Sequence, residues 1–401
     1  MPIELSAHSA AGERLVALAE DLCDPLAAHA AEHDRAGTFP FEAIDALRAA
    51  RYFAAPVPVE LGGLGVSSAH DLVVASSRLA RGDASVAIGV NMHLIAVLNM
   101  ERRRRVAEAA GETRRARGFA ASLEQIAREG VVLAAAISEP GQDLTRPATT
   151  ATRTASGWRV DGRKAFCTMS PAATHVYAAV TAADGDGGDR YAYATVPIDA
   201  PGVVVHDDWD ALGMRASGSN SVTFDGVELP ASGVRGGFRA SDPVPYMERN
   251  LVAGLFHASA SLGIAESADA VSRLGGQRTA HARMLVAETA VGLAAARAVL
   301  ARAATLIDEH RAANPASDGT AAEIRALFAE AQAAKTFVNE AAARIVERAL
   351  ALSGGAGYRN GSPLARAYRD VRAGAFMHPL GTNRAYDHLA DVALGGVAAL
   401  H

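Results

Sequence analysis

The chain has 401 residues, 50% hydrophobic against 21% charged, which is long enough for two or three domains and apolar enough to give each a core. Against 44 Asp and Glu stand 39 Lys and Arg, a net charge of -5, so no global positive field exists to hold nucleic acid or an anionic membrane. Two cysteines far apart, Cys23 and Cys167, exclude a disulfide framework and a cysteine-rich metal site.

The start, Met1-Pro2-Ile3-Glu4, lacks a basic segment followed by an apolar one, and the longest strictly apolar run, Val131 to Ile137, is too short to span a bilayer. A cytoplasmic protein without membrane insertion is expected. Residues 1–128 carry helical spacing: Leu15, Leu18, Leu22 and Leu26 recur every three or four positions, and Phe41, Ile44, Leu47 and Tyr52 do so after Pro40, a residue suited to a helix's first turn. The arginines at 102–105 and Arg114, Arg115 and Arg117 read as a solvated helix face.

Between 129 and 238 the period becomes two. Thr150, Thr152 and Thr154 alternate before a Ser156-Gly157 turn, Trp158 and Val160 alternate after it, and Asp161-Gly162 signals a second tight turn before a strand from Lys164 to Thr168. His175 to Ala182 and Tyr191 to Ile198 read as a hairpin around the polar loop 184–189, with further strands at Val203 to His206 and Ser221 to Phe224. An antiparallel β-barrel or sandwich is expected.

From 239 to 401 helical spacing returns. Leu285, Leu293, Leu300 and Ile307 form one stripe, and Ile324, Leu327, Ala331, Val338, Ala342, Ile345 and Ala349 form another, ended by Gly354-Gly355. Two helices of this length point to a C-terminal four-helix bundle. The expected fold is a multidomain α+β arrangement, helical, then β, then helical.

No nucleophile elbow, phosphate loop or metal-ligand spacing occurs, so polar clusters must carry the chemistry. They lie at Ile137-Ser138-Glu139-Pro140-Gly141-Gln142-Asp143, Phe166-Cys167-Thr168, Gly213 to Gly218, Glu248-Arg249, Gly354-Gly355, Arg369-Asp370 and His378-Pro379. Phe166 and Thr168, two apart on a strand, would offer an aromatic plate and a hydroxyl on one face. Gly354 and Gly355 would let a backbone approach a ligand closely, or simply end a helix.

These segments in this order, together with Phe39-Pro40, the stretch Glu60 to Gly65 and Gly82-Asp83-Ala84-Ser85, resemble the acyl-CoA dehydrogenase superfamily over nearly the whole chain. The resemblance implies FAD, with Ile137 and Ser138 at the pyrimidine edge of the flavin, Phe166, Cys167 and Thr168 over its ring, and Gly354 and Gly355 at its phosphates or adenosine. It implies a homotetramer or homodimer built on the C-terminal helices, and an electron-accepting flavoprotein as partner. Two departures stand out. The Glu139 to Asp143 loop is shorter than the family's usual Glu-Pro-x-x-Gly-Ser-Asp, and no Arg-x-x-Phe-Gly occurs near 273–285.

Thioester dehydrogenation needs a carboxylate base of raised pKa to take the α-proton. In most members it follows the Arg-Asp motif by eight residues, a position held here by His378. A minority place it just after the β domain before an Arg, as Glu248-Arg249 would. The first expectation is therefore α,β-dehydrogenation of an acyl-CoA thioester, with Glu248 as base and Arg249 and Arg215 as supporting charges. The alternative is a two-component monooxygenase of the same fold, using FMN or another reduced flavin from a flavin reductase. The resemblance gives such enzymes a C4a-hydroperoxyflavin, and His378 and His93 would then serve beside it. A catalytically silent flavin- or acyl-CoA-binding homologue is the third reading. No metal is expected.

Overall fold

The computed structural model describes residues 4–141, 143–183, 188–273, 279–396 and 400. The first five helices are α1 (Ala10–Ala36), α2 (Phe41–Ala49), α3 (Ala69–Gly82), α4 (Ala84–Ala109) and α5 (Thr113–Arg128). Helix α1 begins where the Ser9 hydroxyl accepts the Gly12 N–H and ends at Gly37 in the left-handed region, the one place its chain must turn sharply. Its Leu15, Leu22 and Leu26 face the core as their spacing predicts, and α3 packs along it.

Eight strands follow: β1 (Leu133–Ala136), β2 (Thr150–Arg153), β3 (Gly157–Cys167), β4 (His175–Ala183), β5 (Asp189–Pro197), β6 (Val203–Val205), β7 (Asn220–Pro230) and β8 (Val234–Arg239). They form one sheet ordered β6-β7-β3-β2-β4-β5-β8, with β1 also on β4. Most pairs are antiparallel, but β1 and β2 both run parallel to β4, so the sheet is mixed. The Asp161-Gly162 signal proves to be a bulge inside a single long β3, not a turn between two strands. The register shifts between Val160 and Gly162, whose φ of +147° and close approach to Thr149 leave no room for a side chain. Part of the expected loop at 184–189, residues 184–187, lies outside the described residues.

Six helices complete the chain: α6 (Pro243–Arg249), α7 (Ala253–Arg273), α8 (Ala280–Ala313), α9 (Ala321–Ser353), α10 (Pro363–Asp370) and α11 (Thr382–Ala393). A reciprocal cap between Thr320 and Glu323 starts α9. Helix α7 is buried on nearly every face, packed between α3, α4, α8 and α9, and so ties the two helical regions into one core. Among the described residues, three helical stretches are long and apolar enough to cross a membrane: 84–109, 243–273 and 280–313. The first two bury 89% and 94% of that apolar window inside the fold, whereas α8 buries 28% of its own and leaves Met284 and Val291 exposed.

The arginines of α4 depart from expectation. Arg102 and Arg103 are buried, because α4 crosses the interior and the chain from the α8–α9 connection closes over it. Arg102 donates to the carbonyls of Asn314 (2.7 Å) and Ser317 (2.6 Å), and Arg103 pairs with Asp318 at 2.6 Å.

Candidate functional site

The sheet and the helical core meet in a narrow cavity of about 60 Å³. Asn99 and Arg103 of α4 form one wall, Tyr177 and Tyr193 of β4 and β5 a second, and Arg249, Asn250 and His257 at the α6–α7 junction a third, with His378 also on the lining. The two tyrosine rings stack at 4.8 Å, 5° from parallel, because β4 and β5 place them side by side on one sheet face. Outward, the cavity shares Arg115, Phe119, Arg235 and Gly236 with a vestibule of about 590 Å³ at the start of α5. On another side lies a cleft of about 680 Å³ between Ser138, Glu139, Gly141, Asp143 and Leu144 and the 376–384 segment, including Arg384. His378 belongs to both cavity and cleft.

His378 is fixed by Asn250. The Asn250 amide N–H donates to the Tyr246 carbonyl at 2.8 Å, which turns its Oδ1 toward His378 Nε2, 2.7 Å away. The imidazole therefore donates from Nε2 and keeps a lone pair at Nδ1. Burial, and then the charge of Lys335, push its pKa down to about 3, so the ring is neutral at pH 7. Lys335 is itself buried, its ammonium donating to the carbonyls of Met377 and, at 2.6 Å, Leu380 on either side of the His378 segment. Burial lowers its pKa to about 7.

Glu248 does not present an unpaired carboxylate to the cavity. Arg103 of α4 donates to its Oε1 at 2.7 Å, and Arg249 grips its Oε2. The base expected at Glu248 is instead the centre of an ion-pair network with Arg103, Arg249 and Asp318. The reason is tertiary: Arg103 reaches Glu248 from 145 residues away in sequence. Arg249 does line the cavity. Arg215 does not; it clips the end of α1, donating from Nε to the Asp34 carbonyl at 2.8 Å and pairing with Asp210.

His93 is likewise away from the lining. The Leu133 N–H donates to its Nδ1 and its Nε2 donates to the Phe53 carbonyl, each at 3.0 Å, so the ring ties α4 to β1 in one fixed tautomer. Burial takes its pKa down to about 4.

Two expected flavin segments do lie side by side: the Ala165 N–H donates to the Ser138 carbonyl at 2.9 Å, joining the end of β3 to the segment after β1. Ile137 lines the cavity and Ser138 the cleft. Phe166 is 59% exposed on left-handed backbone (φ +55°), its ring edge-on to Trp209, which is a strained arrangement for a large apolar side chain. The Thr168 hydroxyl accepts from Ser219 at 3.0 Å. The Cys167 side chain points the other way, into the β core, and burial raises its thiol pKa to about 12, so only its backbone could face a ligand. Gly354 and Gly355 sit at the end of α9 with open space where a Cβ would project, and they line none of the cavities described here.

Sequence reasoning missed His257, Asn250 and Lys335. His257 and Lys335 carry a visible signal, a polar side chain inside an otherwise apolar helical stretch, but nothing local says that each acts on the surroundings of His378.

Three family models match the chain in order: the N-terminal domain of acyl-CoA dehydrogenases at 10–102, the middle domain at 134–227 and the C-terminal domain at 247–385. The amino sugar nitrososynthase DnmZ of Streptomyces peucetius is 36% identical over 392 residues, covering 96% of this chain and 94% of that one. The L-evernosamine nitrososynthase of a Micromonospora species is 36% identical, covering 96% and 91%. The solved structure of KijD3 with FMN and dTDP-3-amino-2,3,6-trideoxy-4-keto-3-methyl-D-glucose superposes with a TM-score of 0.89 at 34% identity, covering 98% of this chain and 96% of that one.

Proposed function

The chain belongs to the acyl-CoA dehydrogenase family of flavoprotein oxidoreductases, and within it we propose a reduced-flavin-dependent monooxygenase that oxidises the amino group of a nucleoside-diphosphate sugar. The observation that carries this reading is His378. A neutral imidazole stands between cleft and cavity at the position where most members hold a catalytic carboxylate, while Glu248, the other carboxylate candidate, is bound by two guanidinium groups. The nitrososynthase relatives, alike over almost their whole length, support amine oxidation rather than thioester dehydrogenation.

The residues present fit a flavin. The exposed, strained Phe166 offers a ring face beside the Ser138 segment, and the cleft has the size of a cofactor site with Arg384 on its rim for a phosphate. Ile137, Ser138, Phe166 and the backbone at Cys167 and Thr168 would hold it; FMN delivered by a separate reductase is the form favoured here. When bound and reduced, the flavin supplies the two electrons that let dioxygen give one atom to the substrate nitrogen and the other to water. An amine plus dioxygen, two electrons and two protons gives a hydroxylamine and one water. A second such round gives the nitroso compound and two waters.

The protein's own part is positioning. His378 offers its Nδ1 lone pair to a substrate donor while Asn250 holds Nε2, so its orientation survives each turnover. Arg115 and Arg235 at the vestibule supply positive charge for the diphosphate, which suits a chain that is acidic as a whole and must meet anions locally. Tyr177 and Tyr193 give the sugar an apolar wall. The exposed apolar face of α8 is where copies would join in a dimer or tetramer.

The test is product formation. Purified protein with FMN, a flavin reductase and a dTDP-amino sugar should consume oxygen and yield hydroxylamine and then nitroso product by mass spectrometry. Anaerobic bleaching of the flavin by an acyl-CoA, with no amine oxidation, would replace this reading with dehydrogenation.

A further inference from the structure

His257 lies in the first turns of α7, 2% exposed, and neither of its ring nitrogens has a hydrogen-bond partner among the described residues. Buried polar groups are almost always paired, so two orphaned atoms on one ring require an explanation. A tightly enclosed structural histidine such as His93 shows the contrast, with both nitrogens bonded to backbone. His257 instead lines the same cavity as Asn250 and His378.

Two polar neighbours of the ring are committed elsewhere. Lys335 donates to the Met377 and Leu380 carbonyls, and Asn250 bridges Tyr246 and His378. Gln332, which with Lys335 lies against Gly254, is fully buried and has no partner for its amide among the described residues, so a polar patch extends behind the cavity wall. Burial first, and then the charge of Lys335, hold His257 well below its usual pKa. The ring is thus a neutral imidazole with one N–H and one lone pair, both unused.

We infer that His257 is a second substrate-contacting imidazole: its lone-pair nitrogen accepts a hydrogen bond from the substrate's amino group, and its N–H donates to a neighbouring sugar oxygen. This rests on the proposed amine oxidation and adds the residue that orients the amine. An uncharged amine is the form able to take oxygen, and a neutral acceptor beside Lys335 favours that form over an ammonium.

Three variants of the full chain test it: His257→Leu, His257→Asn and His257→Gln. Each is measured for melting temperature, for calorimetric binding of a dTDP-amino sugar and of dTDP alone to the FMN-loaded protein, and for single-turnover amine oxidation. An apolar isostere removes two unsatisfied atoms, so His257→Leu should keep or raise the melting temperature. It should also weaken amino-sugar nucleotide binding about tenfold while dTDP binding changes less than twofold. His257→Asn or His257→Gln should restore part of the loss. A fallen melting temperature with unchanged amino-sugar affinity, or equal losses for both ligands, overturns the inference and makes His257 structural. Failure of the parent chain itself to bind or oxidise the amino sugar overturns the functional reading and this inference with it, whereas an active parent with an unaffected His257→Leu overturns the inference alone.

Discussion

Asn250 Oδ1 accepts the Nε2 proton of His378 at 2.7 Å, and the same amide donates to the Tyr246 carbonyl, so one side chain on the α6–α7 connection sets the tautomer of an imidazole 128 residues away. The arrangement is the positioning logic of an oriented catalytic histidine, supplied by an amide rather than a carboxylate. Because the partner is uncharged, nothing in it favours the imidazolium.

Asn250→Ala should therefore cut amine oxidation by about tenfold to a hundredfold through loss of orientation, with little change in nucleotide affinity. Asn250→Asp should instead raise the His378 pKa and move the pH–rate profile toward higher pH, which steady-state kinetics between pH 5 and 9 would read.

His378→Ala should abolish coupling between oxygen use and product, so that peroxide release rises as amine oxidation falls. Equal coupling in the variant, measured with an oxygen electrode and a peroxide assay, would count against its role.

Glu248→Gln separates the two chemistries. If Glu248 is the hub of an ion-pair network, the substitution leaves Arg103 and Arg249 short of a buried anion and costs about 3 kcal/mol of stability. Amine oxidation per folded molecule should persist. Denaturant unfolding and active-site titration together check this.

The vestibule arginines predict a salt-sensitive affinity. Arg115→Ala and Arg235→Ala should each weaken dTDP binding several-fold and flatten its dependence on ionic strength. Unchanged affinity in both variants would move the diphosphate elsewhere.

Acid should destabilise the fold in two steps. His93 has its pKa lowered by burial to about 4, so the folded state binds fewer protons than the unfolded state between there and the ordinary value near 6.5, and stability falls as pH drops through that window. Asp71 behaves as a depressed acid. Burial alone would raise its pKa, but hydrogen bonds from His70, the His8 N–H and Ser9 bring it to about 2. Its contribution, about 2 kcal/mol, is present above the unfolded value near 4 and lost toward pH 2. Asp71→Asn should remove that second step, and His93→Gln should shallow the first, in thermal melts run from pH 7 to 2.

The helix–sheet–helix layout was legible because period and punctuation change together near 129 and 239, and the two long C-terminal stripes face the core as spaced, except at Leu285, which stays half-exposed near the start of α8. What local pattern could not reveal was any property set by a distant partner. The Asp161-Gly162 pair has the composition of a turn, yet β7 pairs on both sides of it and makes it a bulge. Arg102 and Arg103 have the composition of a solvated face, yet Asp318, Asn314 and Ser317 cover them. Glu248 beside Arg249 was visible as a pair, but Arg103, which completes its neutralisation, comes from α4. His378 was found by counting from Arg369-Asp370, while Asn250, Lys335 and His257, which define its surroundings, became apparent only once α7, α9 and the 376–384 segment were assembled.

The most direct test of amine oxygenation uses isotope-labelled dioxygen with the FMN-loaded protein, a reductase and a dTDP-amino sugar. One labelled oxygen is expected on the sugar nitrogen, lost in His378→Ala and retained per folded molecule in Glu248→Gln. Unlabelled amine, together with an acyl-CoA oxidised to its enoyl form in a reaction that Glu248→Gln stops, would contradict it.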